Sequence, residues 1–282
     1  MKKKILLVVI IVIIAVLWWL SIRPIPEKIN YGISFSVLHS NELKLDWKTV
    51  YNAFLNDLGV KRLRLSAHWP MIEPTQGQFN WSEMDYQISE AEKHGAKVVL
   101  AVGRRLPGWP ECHEPEWAYY LSKEDKQKAV LAYLTQVVNR YKDSDAIAYW
   151  QVENEPFLTM YATHYCGDFL DEDFLNKEID VVKKLDPNRP VLVTDSGEIS
   201  LWYKAYRSGD SFGTSVYLYV WNHYVGPIRY PIPPAFFRIK TSIIERLFGP
   251  KETLLIELSA EPWLLKPIVE TDIETQLKQM NI

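Results

Sequence analysis

Ala146-Ile-Ala-Tyr-Trp-Gln-Val-Glu-Asn-Glu-Pro156 is the stretch on which the fold turns. Residues 146–153 read as a buried β-strand, and Pro156, which cannot donate to a ladder, ends it. The strand therefore delivers Asn154 and Glu155 to its C-terminal end. About one hundred residues later Thr253-Leu-Leu-Ile-Glu-Leu258 reads as a second such strand, carrying Glu257.

Outward from these two strands the chain alternates. Strand one is read over Tyr31–Val37, and helix one over Asp46–Leu58 with Asp46 as its N-cap. Strand two is Arg62–Ala67; helix two is Ser82–His94, stopped by Gly95. Strand three is Lys97–Val102, helix three Lys123–Tyr141, and helix four Phe169–Leu185, closed by the turn Asp186-Pro-Asn-Arg-Pro190. Strand five is Val191–Thr194 and strand six Gly213–Leu218. A helix over Ala235–Phe248 leads to strand seven, which carries Glu257. Short apolar strands alternating with amphipathic helices predict a parallel sheet, and at this length a (β/α)8 TIM barrel. Beyond Leu258 the remaining 24 residues read as a loop and a helix over Thr271–Met280. The expectation is thus an α/β barrel truncated before its eighth strand.

The N-terminus sets a second expectation. Met-Lys-Lys-Lys precedes 18 uncharged residues, Ile5–Ile22, which as a helix span about 27 Å, close to the hydrocarbon core of a bilayer. Trp18 and Trp19 sit where an interfacial aromatic belt would lie, and the lysines favour a cytoplasmic N-terminus. No small-x-small cleavage site follows, so a signal anchor is preferred over a cleaved signal peptide. This divides the chain into a transmembrane helix at 1–23, a stalk at 24–29 and a barrel domain at 30–282, which either reading places outside the cytoplasmic membrane. From Pro24 onward 28 basic residues face 35 acidic ones, with no basic tract, which argues against a nucleic-acid partner. Cys112 and Cys166 are the only cysteines; both fall in predicted loops, and one disulfide is allowed in an oxidising compartment. They offer no zinc pattern, and no cofactor is called for.

In such a barrel chemistry belongs to the C-terminal ends of the strands. Two glutamates on two strand ends form the minimal machinery for cleaving a glycosidic bond. Arg64, at the barrel mouth, is placed to keep a carboxylate ionised, and His68 to bind a sugar hydroxyl or simply to pack. Glu73 reads as a capping or positioning residue. Asp195 and Glu198 suit substrate contact or turn and cap roles about equally. A tyrosine after strand six, Tyr217 or Tyr219, is placed to hydrogen-bond the strand-seven acid. Trp69, Trp109, Trp221 and Trp263 all follow strands on one predicted face, as stacking platforms for sugar rings would.

With these residues the chain resembles the clan A glycoside hydrolases, retaining (β/α)8 enzymes with the acid/base on strand four and the nucleophile on strand seven. Asn154-Glu155-Pro156 matches the clan's strand-four motif, Arg64 followed by Trp69 its strand-two pattern, and Ile256-Glu257 its nucleophile. The flavour is cellulase-like, similar to family 5, with an echo of family 42 in the loop Trp69–Trp81. Two departures stand out. Gly103-Arg104 replaces a strand-three histidine common in family 5, and the eighth strand with its stacking tryptophan is absent. The resemblance implies hydrolysis of β-glycosidic bonds by double displacement, with a carbohydrate substrate and no metal. Glu257 would attack, Glu155 would protonate the leaving oxygen, and Asn154 would bind the 2-hydroxyl. Glu261 competes for the nucleophile's role, but its spacing puts it past the strand on a loop, among substrate-binding residues. Two other readings use the same residues: an inactive carbohydrate-binding or scaffold barrel, and an envelope transglycosylase.

Overall fold

The computed structural model describes residues 2–22, 27–108, 111–158, 166, 171–222 and 226–259. They divide into two compact units: residues 30–215 with 252–257, and residues 1–29 with 216–251 and 258–282.

The larger unit is built on seven strands: β1 (Ile33–Ser34), β2 (Arg62–Ser66), β3 (Lys97–Val102), β4 (Ile147–Val152), β5 (Val191–Asp195), β6 (Ser211–Tyr217) and β9 (Thr253–Ser259), adjacent in that order. The pairs from β1 to β6 are parallel, with Leu63 opposite Val98 and Leu100 opposite Trp150. After their first residue β2 and β3 are buried throughout, and β5 is buried along its whole length. That is the pattern of strands covered on both faces, and the reason β3 and β5 run largely apolar, whereas β2 alternates as Arg62-Leu-Arg-Leu-Ser66 and buries Arg64 and Ser66 all the same. The sheet is rolled. Arg64 of β2 and Glu257 of β9 are five strands apart in sheet order, about 24 Å if the sheet were flat. Their side chains nevertheless meet at 2.5 Å. Seven strands thus make a nearly closed barrel; among the described residues β1 and β9 are not paired with each other.

Helices cross over between the strands, and their caps follow from sequence. Asp46 accepts the Thr49 N–H at the start of α3 (Trp47–Asn56). Ser122 does the same for α6 (Lys123–Tyr141), and Asp171 for α7 (Glu172–Leu185). Gly95, at φ 61°, ends α5 (Ser82–Lys93) in the left-handed region that favours glycine.

Several elements differ from expectation. Strand one shrinks to two residues, because Ser36 caps a short helix, α2 (Val37–Glu42), through its hydroxyl. Two further short helices, α4 (Trp69–Ile72) and α8 (Tyr203–Ser208), were not anticipated. Strand six starts two residues earlier than read, at Ser211.

In the smaller unit α1 (Lys2–Ser21) packs against α9 (Pro234–Phe248), whose Ser242 hydroxyl donates to the Leu20 carbonyl. Arg246 of α9 lies over the Trp19 ring. An antiparallel hairpin, β7 (Tyr219–Asn222) with β8 (Gly226–Arg229), completes it. Among the described residues α1 is the one helix long and apolar enough to cross a membrane.

Candidate active site

Arg64 organises the mouth of the barrel. It is 4% exposed, and its guanidinium spends three nitrogens on three partners. Nε donates to Gln151 Oε1 at 2.8 Å, Nη1 to Glu257 Oε1 at 2.5 Å, and Nη2 to Asn154 Oδ1 at 2.7 Å. A planar fork suits this task as a lysine would not, since one rigid group fixes a carboxylate and two amides at once. Gln151 Nε2 and Thr194 Oγ1 also donate to Asn154 Oδ1, at 3.2 and 3.3 Å. With its oxygen so held, the Asn154 NH2 is the end left to donate to a ligand.

Glu155 stands on an unusual turn. Glu153 and Glu155 both adopt positive φ, 58° and 43°, a conformation that costs non-glycine residues energy and is held only where surroundings impose it. The Glu155 N–H donates to Thr194 Oγ1 at 2.9 Å, and Ser215 Oγ donates to Glu155 Oε1 at 2.8 Å. Burial, then the neighbouring charges of Glu257 and Glu111, push the Glu155 carboxyl well above the usual carboxylate range. Glu257, on β9, keeps 16% of its side chain exposed. One acid is therefore buried beside negative charge and disposed to keep its proton, while the other is gripped by a guanidinium. The two carboxyls thus stand in chemically different surroundings at one mouth.

Other expected residues fare unevenly. His68 is buried beside His113, rings 4.7 Å apart and edge to face, and its Nε2 has no partner among the described residues. Burial, then His113, pushes it down to about 3, so its ring is neutral. Trp69 is a correction: it is fully buried, stacked on Tyr133 and donating to Glu73 Oε2 at 2.8 Å. Sitting inside the first turn of α4, it packs the core and offers no face to a sugar. Glu73 also accepts the Gly77 N–H, as a loop-positioning residue should. Asp195 accepts from the Ser196 N–H and the Ser200 hydroxyl. Tyr217 and Tyr219 belong to the smaller unit, where Tyr219 is buried with Arg229 over its ring. Trp109, Glu261 and Trp263 lie outside the described residues, as does the side chain of Trp221.

Three contributors were not anticipated. Ser215 on β6 and Gln151 on β4 hold catalytic candidates directly; Gln151 is a polar residue inside an apolar strand, which was the available signal, whereas Ser215 shares β6 with Ser211 and Thr214 and does not stand out. The third is the excursion after β3. Arg105 and Cys112 pair as an antiparallel bridge, and the His113 N–H returns to the Arg104 carbonyl at 3.0 Å. Within it Arg105 donates through Nε and Nη2 to Glu111 Oε2 at 2.9 and 2.7 Å, and through Nη1 to the Leu158 carbonyl at 2.9 Å. Glu111 is a third carboxyl of the mouth; burial holds it above the ordinary range against the pull of Arg105. Cys112 is bonded to Cys166, with Cα atoms 5.4 Å apart, which pins the excursion. Among the described residues no cluster could hold a metal ion.

Against this geometry, residues 39–207 match the family model for glycosyl hydrolase family 10. The chain belongs to that family. Family 10 lies within clan A, so the clan-level resemblance holds, and family 10 is the family whose model matches. Curated relatives include a probable mannan endo-1,4-β-mannosidase A of Aspergillus flavus, 29% identical over 182 residues, covering 61% of this chain and 45% of that one. A mannan endo-1,4-β-mannosidase F of Aspergillus clavatus is 32% identical over 40% of this chain and 26% of its own. The chain spans less than half the length of these relatives. Among solved structures, a family 10 endo-β-1,4-xylanase from Gloeophyllum trabeum superposes with a TM-score of 0.54 at 18% identity, covering 88% of this chain and 76% of that one. At that identity the likeness speaks for the fold alone.

Proposed function

We propose that this member of family 10 hydrolyses internal β-1,4 bonds of a mannan- or xylan-type polysaccharide with retention of anomeric configuration. The single observation that carries the reading is the Arg64 guanidinium, bonded at once to Glu257 and to Asn154 of the Asn-Glu-Pro motif. It unites the strand-four and strand-seven candidates at one mouth. In the first step Glu257 attacks the anomeric carbon, the glycosidic C–O bond breaks, and the Glu155 proton passes to the leaving oxygen. In the second, Glu155 takes a proton from water, which attacks the same carbon and releases Glu257. Asn154, through its NH2, binds the 2-hydroxyl as charge develops on the ring. The choice of a β-1,4-linked polymer is supported by the family 10 match and by the mannan endo-1,4-β-mannosidases among the relatives.

The same proposal takes residues 1–23 as a signal anchor, 24–29 as a stalk and 30–282 as the barrel domain. The apolar α1 with its lysine flank supports an extracytoplasmic domain, and the Cys112–Cys166 disulfide suits an oxidising compartment. Incubating the detergent-solubilised chain with β-1,4-mannan, β-1,4-xylan and an α-linked glucan tests the activity. New reducing ends are expected from a β-1,4 polymer and not from the α-glucan. Binding to the polymers with no reducing ends released would instead make the chain a carbohydrate-binding barrel.

A further inference from the structure

Behind the candidate acid lies a carboxyl that the proposed mechanism does not use. Glu178, on α7, is 0% exposed, and neither of its oxygens has a hydrogen-bond donor among the described residues. Its neighbour is the carboxyl of Glu153, also 0% exposed, two residues before Glu155. Glu153 accepts the backbone N–H groups of Arg104 and Arg105 at 2.8 and 2.5 Å. In return the Asn154 N–H donates to the Arg105 carbonyl at 2.7 Å. The two sides of this clasp join the end of β3 to the turn that carries Asn154 and Glu155. Gly103 makes room for it. At φ 122°, a Cβ there would stand 2.5 Å from Glu153 Oε1.

The charges around the clasp balance only if one carboxyl is neutral. Facing Glu178 are Glu153 just after β4, Arg104 just after β3 and Asp171 at the start of its own helix. Arg104 also pairs with Glu114 at 3.2 Å, and Lys126 of α6 pairs with Glu114 at 2.6 Å. Among the described residues the two cations Arg104 and Lys126 thus face three buried acids, Glu114, Glu153 and Glu178, and Arg104 acts on both members of the Glu153–Glu178 pair. Two buried carboxylates in contact cannot both ionise without large cost, whereas a shared proton turns the repulsion into a hydrogen bond. We infer that Glu178 is held as a neutral acid whose proton is donated to Glu153, and that this pair positions the turn presenting Glu155. Burial, then Glu153, accordingly pushes Glu178 well above the ordinary range. The positioning half rests on Glu155 being the proposed acid; the shared proton does not.

Glu178→Gln tests both halves, because an amide can donate to Glu153 but cannot titrate. The native state keeps a proton on Glu178 that the unfolded chain loses above its ordinary carboxyl pKa. The wild type is therefore penalised progressively as pH rises from there, and the variant is not. The melting temperature of Glu178→Gln relative to wild type should gain roughly 3–5 °C per pH unit between about pH 5 and 7, with no such gain near pH 4. A difference that is flat, or that falls as pH rises, would mean Glu178 is ionised in the fold and would overturn the inference. For positioning, Glu178→Gln should keep kcat within about two-fold, while Glu178→Leu, which removes the side-chain donor to Glu153 and leaves it only the two backbone N–H groups, should lose on the order of 10-fold or more. That loss should fall on kcat with KM little changed. It should also be greater for phenyl than for 2,4-dinitrophenyl β-glycosides of the sugar the wild type turns over. Loss through KM alone, or equal loss on both leaving groups, would overturn the positioning role. Glu155→Ala is the reference: if it showed no leaving-group dependence, the assignment of Glu155 itself would fail, and the melting series would still read the shared proton.

Discussion

Glu257→Ala is expected to lose turnover by a factor on the order of 10⁴ or more, since removing a nucleophile removes the covalent path rather than weakening it. The cavity left beside Arg64 should then admit a small anion. Arg64 stays in place through Gln151 and Asn154, so the guanidinium that held the carboxylate now faces the vacancy. Azide should restore cleavage of an aryl β-glycoside with a good leaving group, and the glycosyl azide formed should have the α configuration, because one displacement replaces two. Product analysis by proton NMR reads the configuration directly. Rescue giving the β-azide would mean that a second nucleophile survives.

Glu155→Ala is the second large effect, and it differs in kind. Aryl glycosides whose leaving groups need protonation should lose 10²–10⁴-fold in kcat/KM, while dinitrophenyl glycosides, which need little, should lose far less in the first step. The wild-type pH profile should match. Glu155 is active as the protonated acid, and burial together with Glu257 and Glu111 raises its pKa. Activity should therefore persist above the ordinary carboxyl range and fall as pH rises through the raised value. In Glu155→Ala that alkaline limb should vanish. Removing Glu111 by Glu111→Gln should move it toward lower pH, since one of the charges opposing ionisation is gone.

How much of this was legible in sequence depended on where each signal resides. Strands β3 to β5 could be read because a strand buried on both faces runs largely apolar, and Val98 to Val102 or Val191 to Val193 satisfy that locally, while β2 could be read from its alternation. The short β1 could not. Ser36 converts the next residues into a helix through one hydroxyl, and a capping serine looks the same inside a loop. The hairpin β7–β8 lacks the Asn-Gly or Gly-Gly signal of a two-residue turn. The places of Asn154 and Glu155 were legible because a strand end and a proline mark them, and that of Glu257 because it is an acid inside an apolar strand. Arg64 was legible as a cation at the mouth, but its three partners come from two distant strands. Ser215, Arg105 and Glu111 reach the site through tertiary folding alone. Trp69 misled, because a tryptophan after a strand packs inward as readily as outward, and the first turn of α4 decides which.

The central claim is that Glu257 becomes covalently bonded to the sugar. A 2-deoxy-2-fluoro β-glycoside with a dinitrophenolate leaving group should be attacked normally and then stall, because the fluorine slows release of the glycosyl intermediate. Peptide mapping of the stalled protein by mass spectrometry reads the bonded residue. One sugar per chain is expected, attached to Glu257. A label on Glu111, Glu155 or Glu261, or a protein that turns over native substrate yet never carries the sugar, would contradict it.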